Sequence, residues 1–420
     1  MMEKLQKMMK NAKVHIKIRL LIYFMMLYIK GIILMKNSKA FLLSAFFCTT
    51  LVICPCLLIY KMHTEYKAEA AEAKSFQLHA ENRETAEGNK ILIERVTLGA
   101  IGDILIHDWV YNDAKTKTAY DFKPMFEHAK SLLSTPDLLL ANQETILGGP
   151  EIGISSYPMF NSPQEVGNAL IDAGVDIVST ANNHSLDKGV KGLEASLDYM
   201  DQIGLPHVGT NRTPSEQQTL KILGKNGIKV AYLSYTYGTN GIPVPSGKDY
   251  FVNLIDETAM KKEIKRAKEG ADVVVMSMHW GDEYELQPTE EQKRLAETLV
   301  NEGVDIIFGH HPHVLQPMEW IDRKDGGRSL VVYSLGNFLS GQMRDYKDIG
   351  GLATVEVTKY IDQNGVDIKL SDPGFVPTYV SNKQLKNYRI VPLEDAASFG
   401  LPHAKSKFAE IMKHMMGNVQ

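Results

Sequence analysis

The chain has 420 residues, 44% of them hydrophobic and 23% charged, with a formal net charge of −4. That length and composition belong to a globular protein with one large or two ordinary domains. The charge is unevenly shared: residues 1–60 hold nine Lys/Arg and one Glu, which leaves 37 basic and 49 acidic side chains, net −12, on the other 360. So acidic a body argues against nonspecific nucleic-acid binding, which needs a basic surface.

Residues 1–39 form a basic N-terminal segment. Leu20–Ile29 is apolar but too short to span a bilayer, and Met35 would make an ordinary start as well as Met1. Ala40–Tyr60 then runs 21 positions without a charge, long enough to cross a membrane. Lys13, Lys17, Arg19, Lys30, Lys36 and Lys39 precede it, whereas Glu65, Glu69 and Glu72 dilute the basic residues after it. The positive-inside rule therefore predicts a cytoplasmic N-terminus and an extracellular body. A cleaved signal peptide is the competing reading. No small-x-small site follows the run, which favours an uncleaved anchor. All three cysteines (Cys48, Cys54, Cys56) lie in this segment. The body thus has neither disulfides nor thiolate ligands, and any metal there is held by nitrogen and oxygen donors.

Lys61–Lys90 is rich in Ala, Glu and Lys and reads as a polar stalk. The body begins near Ile91 and runs to about residue 400, with 401–420 as a C-terminal helix or tail. Within it, β-branched apolar runs alternate with helical patterns, predicting a mostly parallel, helix-covered sheet. Thr289 and Gln292 make a capping box before the face of Leu295, Ala296, Leu299 and Val300, and Gly303 supplies the stop. Gly174-Val-Asp-Ile177 recurs as Gly303-Val-Asp-Ile306, each following a helix and opening a strand. After Gly350 the pattern changes to short runs, Leu352–Val357, Val366–Leu370 and Val376–Val380, which predict a second sheet in the same domain.

Five predicted strands end in groups that can bind a metal. Thr97–Gly102 ends at Asp103, with His107 four positions on. Asp137–Ala141 ends at Asn142-Gln-Glu144, Val175–Thr180 at Asn182-Asn-His184, Asp272–Met278 at His279, and Val304–Phe308 at His310-His-Pro-His313. In open α/β sheets, sites form outside the carboxyl ends of strands. Each cluster alone has a plainer reading: a turn, a helix cap or a hydrogen-bonded interior imidazole. Five at five strand ends are hard to obtain from packing. The mixture of Asp, Glu, Asn and His suits divalent Mn, Fe, Zn or Mg, one ion or two.

Together with His279-Trp-Gly-Asp-Glu283 and Tyr333-Ser-Leu-Gly-Asn-Phe338, this ordered set resembles the capsule synthesis protein CapA family over roughly Val96–Gly341. The resemblance implies a role in poly-γ-glutamate capsule production and a metallophosphoesterase-like layered α/β sandwich, here preceded by one transmembrane helix. Carried over motif by motif, it makes Asp103, Glu144, Asn183, His279, His311 and His313 metal ligands and His184 the catalytic group near the leaving group. Glu144 stands where the superfamily usually has aspartate. His107 has the wrong spacing for the superfamily's Asp-x-His histidine, and His310 is left over behind the final His-x-His. His107, Glu283, His310 and Asn337 are therefore expected to support ligands or touch substrate. Tyr157–Asn161 is a candidate substrate-side loop, and Trp280 a packing residue beside His279. The implied chemistry is hydrolysis of a phosphoester or amide. The alternative is a non-catalytic, polymer-binding or export component working with other capsule synthesis proteins and an anionic polymer.

Overall fold

The computed structural model describes residues 91–419. The expected anchor, stalk and basic N-terminal segment lie outside the described residues. Among the described residues, no helix is long and apolar enough to cross a membrane.

Fourteen strands are described: β1 (Leu92–Leu105), β2 (Leu138–Gln143), β3 (Ile177–Ser179), β4 (His207–Val208), β5 (Lys221–Lys225), β6 (Ile228–Thr236), β7 (Val273–His279), β8 (Ile306–His310), β9 (Leu315–Asp322), β10 (Arg328–Leu335), β11 (Asn337–Ser340), β12 (Ile349–Asp362), β13 (Gly365–Ser381) and β14 (Arg389–Pro392). They form two sheets. One has the order β14-β13-β12-β1-β2-β3-β4, with β11 also paired to β1; the other has the order β5-β6-β7-β8-β10-β9. The first is parallel from β1 to its β4 edge and antiparallel on the other side of β1, whereas the second has a parallel centre and antiparallel edges.

Side-chain alternation packs these sheets face to face. Val96, Leu98 and Ala100 of β1 share one core with Val230 and Tyr232 of β6, Val273 and Val275 of β7, and Ile306 and Phe308 of β8. The intervening residues point the other way. Leu233, Met276 and Ile307 pack under helices Glu257–Gly270 and Glu290–Glu302 through Met260, Ile264, Leu295 and Leu299. Ile101 and Val178 pack under helices Glu165–Ala173 and Gly189–Ile203. The result is a layered α/β sandwich, helix–sheet–sheet–helix, with the period-two pattern deciding which layer each side chain enters.

The capping box at Thr289 and Gln292 is present, and Gly303 ends that helix at φ 109°. The repeated Gly-Val-Asp-Ile segments have a shared physical purpose. Asp176 Oδ2 accepts from Leu139 N (2.8 Å) and Asp305 Oδ2 from Val274 N (2.9 Å), and each aspartate's own amide donates back to the same residue's carbonyl. Each Asp clamps its nascent strand to the preceding one. Asp137 does the same with Thr97, and Asp272 with Lys229.

The expected division into sheets is corrected. Residues after Gly350 do not start a second sheet: β12 pairs antiparallel with β1 from Leu92 to Ile101, and β13 and β14 extend the first sheet. Val366–Leu370 and Val376–Val380 are parts of one strand, β13. The change of pattern there is a switch from parallel to antiparallel pairing. The second sheet is built earlier, from residues 221–335, out of the same helix–strand units as the first, so its local sequence carries no mark of the change.

Candidate metal centre

The two sheets are tied together where β10 of one becomes β11 of the other. Gly336 makes the turn at φ 62°, and its carbonyl accepts from Asp103 N (2.8 Å). A side chain at Gly102 would put its Cβ 2.0 Å from that oxygen, so only glycine lets the strands close here. β1 shifts register at this point against both β2 and β11, which turns Asp103 inward between the sheets.

Asp103 is fully buried. Asn142 Nδ2 donates to its Oδ1 (2.8 Å), His313 Nδ1 lies 3.1 Å from Oδ2, and His310 Nδ1 lies 3.3 Å from Oδ1. Burial opposes its ionisation, but the contacts to His310 and His313 outweigh this and hold the carboxyl well below the usual range. Glu144, just past β2, is equally buried, and neither of its oxygens accepts a hydrogen bond from the protein. Its Oε1 faces His279 Nε2 at 3.6 Å and His313 Nε2 at 3.7 Å. Burial, and then the charge of Asp103, pushes the Glu144 carboxyl well up.

The histidines come from the second sheet. His279 closes β7, with Nε2 3.0 Å from Asn183 Oδ1. Burial, reinforced by His311, keeps it neutral. His311 and His313 follow β8 at φ 96° and 59°, a region that side-chain-bearing residues enter at a cost and that clusters at functional sites. His311 Nδ1 is buried without a protein partner, and burial and then His313 lower its pKa to about 3. His313 shares Nδ1 between Asp103 Oδ2 and Asn337 Oδ1, 3.1 Å each. Burial disfavours its cation, but Glu144 and Asp103 push it up to about 9.

Donor atoms of Glu144, His311 and His313 lie within 4.8 Å of one another, as do those of Asp103, Glu144 and His279, so Glu144 belongs to both groups. A buried carboxylate lacking any donor costs several kcal/mol, roughly, unless a cation compensates it. The residues therefore fit a divalent metal with N and O ligands.

Beside this cluster, His184 Nδ1 sits 2.7 Å from Asp187 Oδ2, which also accepts from Phe160 N (2.6 Å). Asn183 Nδ2 donates to Asn240 Oδ1 (3.3 Å). Phe160 packs edge-on against both His184 and His107, with centroids 4.7 and 5.2 Å away. Within the expected substrate-side loop, Phe160 and Asn161 are thus buried, whereas Tyr157 is 75% exposed.

The remaining expectations fall differently. His107 stands outside the cluster: its Nδ1 is near Leu105 O and Gly341 N, and its ring stacks on Trp109. Glu283 is exposed on the rim and reaches Glu144 and His313 only through its charge. His310 has no hydrogen bond in good geometry on either ring nitrogen, despite its 3.3 Å contact with Asp103. Asn337 orients His313. Trp280 packs on Tyr333, as expected, and donates to its carbonyl (3.0 Å). Sequence reasoning placed Asn142 in a strand-end cluster without giving it a role, and passed over Asp187 and Tyr237. Asn142 lies two positions before Glu144, the spacing that shares a strand face. Asp187 lies three after His184, within one turn's reach. Tyr237 sets its ring 4.6 Å from His311 and gave no local signal.

The family model for bacterial capsule synthesis protein PGA_cap matches residues 97–342, a span that holds every one of these groups. The chain belongs to this family. Among PGA_cap relatives, it is 29% identical to the capsule biosynthesis protein CapA of Bacillus anthracis over 59% of this chain and 61% of that protein. It is also 29% identical to the PGA biosynthesis protein CapA of Bacillus subtilis, covering 58% of this chain and 62% of that one. A probable polyglutamine synthesis accessory protein of Mycobacterium tuberculosis is 24% identical over 42% of this chain and 47% of that one. The chain thus spans about three-fifths of the length of the first two curated relatives. Among solved structures, a 5′-nucleotidase precursor from Thermus thermophilus is similar at a TM-score of 0.43 and 15% identity, over 76% of this chain and 59% of that one.

Proposed function

We propose that this PGA_cap protein is a metal-dependent hydrolase acting in capsule or cell-envelope polymer synthesis, held at the outer face of the membrane by the 40–60 segment. The observation that carries the reading is Glu144: fully buried, without a protein donor, and common to two sets of candidate ligands. Asp103, Glu144, Asn183, His279, His311 and His313 would hold one or two divalent ions. When bound, such ions polarise a phosphoryl or acyl oxygen and favour attack by water.

The chain's own residues supply the rest. Asp187 fixes His184 by its Nδ1, which leaves Nε2 free of protein hydrogen bonds among the described residues and able to give a proton to a leaving group. Phe160 walls the His184 ring and is itself backed by His107, which limits the ring's rotation. Asn337 and Asp103 together point His313 Nε2 toward Glu144.

The test is direct. The purified full-length protein is expected to retain divalent metal, and His184→Ala to keep that metal while losing turnover of phosphoester or γ-glutamyl substrates. Less than one-tenth equivalent of metal after supplementation would sink the metal site, and unchanged turnover would remove His184 from the mechanism. A second reading is a non-catalytic component of the synthesis machinery, favoured by the accessory role printed for the mycobacterial relative. It predicts no turnover on any substrate, with capsule loss when a stable metal-site variant replaces the protein.

A further inference from the structure

A second group of polar side chains gathers where the two sheets end. β4 is the last strand of the first sheet and β5 an edge of the second. Lys221 of β5 stands opposite Tyr232 of β6 in their antiparallel pairing, so the two side chains share one face. His207 belongs to β4. All three line a cavity of about 210 Å³ that shares no residue with the candidate metal ligands.

Tyr232 and His207 are 2% and 7% exposed, yet Tyr232 Oη and His207 Nδ1 have no hydrogen-bond partner among the described residues. Polar atoms so buried are nearly always paired, and an orphan calls for a ligand or a water. Each has a defined role to offer. His207 Nε2 lies 3.1 Å from Asp201 Oδ1, which fixes the ring proton on that nitrogen. Burial lowers the pKa of the ring, so it is neutral and Nδ1 is left as an acceptor. Burial pushes the Tyr232 hydroxyl up, so it keeps its proton to donate.

Most charges around the cavity are already committed. Arg212 reaches Asp198 (2.9 Å), Asp201 (2.5 Å) and Glu216 (2.8 Å), one carboxylate for each of its three nitrogens. Glu263 accepts from Tyr235 Oη. Lys221 makes no ion pair among the described residues. The lining thus sets Lys221 and Arg212 against Asp201, Glu216 and Glu263, a formal net charge of −1. That surplus repels a multiply charged anion. A lone carboxylate suits Lys221 best when the molecule carrying it brings a cation of its own.

We propose that this cavity binds a zwitterionic α-amino acid with an uncharged side chain. Its carboxylate takes Lys221 Nζ and the Tyr232 hydroxyl, and its ammonium donates to His207 Nδ1. Both orphan atoms are then satisfied, and Lys221 gains a counter-charge. Sugar hydroxyls would satisfy the two orphans but leave Lys221 without a counter-charge. An acidic side chain on the amino acid would meet the carboxylates of the lining. The inference is independent of the metal chemistry proposed above.

The experiment titrates L-alanine, L-serine, L-glutamate, glucose and inorganic phosphate into the full-length protein in detergent and reads the heat of binding. Alanine or serine is expected to bind at one equivalent. Lys221→Gln and Tyr232→Phe are each expected to weaken that binding about tenfold, the worth of one charge-assisted hydrogen bond. Tyr232→Phe also tests for a merely structural hydroxyl. Its Oη pairs with nothing among the described residues, so the ligand-free melting temperature should not fall. A lower melting temperature in that variant would show that the fold itself satisfies Oη, and would overturn the site. No saturation by either neutral amino acid up to about 10 mM would leave water as the occupant and overturn it too. Tighter binding of glutamate, glucose or phosphate would overturn the ligand class. Amino-acid binding undiminished in both variants would overturn its placement in this cavity.

Discussion

His313 turns Nδ1 to Asp103, 3.1 Å from Oδ2, and so presents Nε2 to Glu144. The pair crosses between sheets, since Asp103 lies on β1 of the first and His313 follows β8 of the second. A ring held at one nitrogen by a carboxylate has its tautomer and direction fixed before any ligand arrives. The centre thus exists only where the two sheets meet, which makes its geometry a property of the whole sandwich.

Asn337 shares that task, and its removal should be felt at the metal rather than in the fold class. Asn337→Ala leaves Asp103 as the only partner of His313 Nδ1 and frees Gln342 and Lys347 O from their shared donor. Metal affinity is expected to fall about 10- to 100-fold, with stability lowered by about 1–3 kcal/mol for the unsatisfied groups. Competition with a chelator of known affinity measures the first, and urea unfolding of the metal-free protein the second. Wild-type affinity would show that Asp103 alone orients the ring.

Asp187 separates binding from turnover. Asp187→Asn keeps the size of the side chain but can present an amide N–H, where the carboxylate only accepts, to His184 Nδ1 and Phe160 N. The ring then loses the acceptor that fixes its tautomer, a change that costs orders of magnitude in rate where a histidine must move a proton. We expect unchanged metal content, near-wild-type KM and a kcat at least about 100-fold lower. Loss of metal in this variant would instead make Asp187 part of the metal site's support.

Much of this site is legible in the sequence because strand ends carry their chemistry locally. An apolar run that stops at Asp103, Glu144, His184, His279 or His311 announces both the strand and the group it delivers. What is not legible is contact made across the sandwich. Nothing near Asp187 says that Phe160 N will also reach it, and nothing near Tyr237 says that His311 lies beneath its ring. The assignment of strands to sheets fails for the same reason. β4 ends one sheet and β5 opens the other, yet the helix–strand units on both sides follow one pattern. Pairing of β12 with β1 joins residues more than 250 positions apart, and no local signal encodes it.

The strand clamps make a stability prediction independent of the metal. Asp305 accepts from Val274 N and also from Arg323, whose Nη1 lies 2.5 Å from Oδ1. Asp305→Ala strands the amide of buried Val274 and leaves Arg323 with Asp325 alone. Destabilisation of about 1–3 kcal/mol is expected, seen as a lower urea midpoint with an unchanged slope. Metal stoichiometry of the folded fraction should stay at the wild-type value, because Asp305 stands just before β8 and the candidate ligands follow that strand's other end.

The stability of the metal-free protein should fall as pH rises from neutrality. The folded-state pKa of His313, about 9, lies above its ordinary value of 6.5. A cation favoured in the fold stabilises it fully below pH 6.5, and that contribution is lost as pH climbs through 9. Glu144, raised far above the usual carboxylate range, acts in the same direction, since the unfolded chain gives up its proton near pH 4.5 and the fold resists doing so. His279 and His311 are lowered, so their penalty is confined to pH below 6.5, and the lowered Asp103 is fully ionised in both states by then. Between pH 6.5 and 9 the two raised groups therefore decide the slope. Urea midpoints in chelator are expected to decline steadily over this interval. A divalent metal must displace the His313 proton in order to bind, so saturating metal should flatten the decline, and metal affinity should itself rise with pH up to about 9. A midpoint in chelator that stays level from pH 6.5 to 9 would mean that His313 and Glu144 do not share this buried site as described.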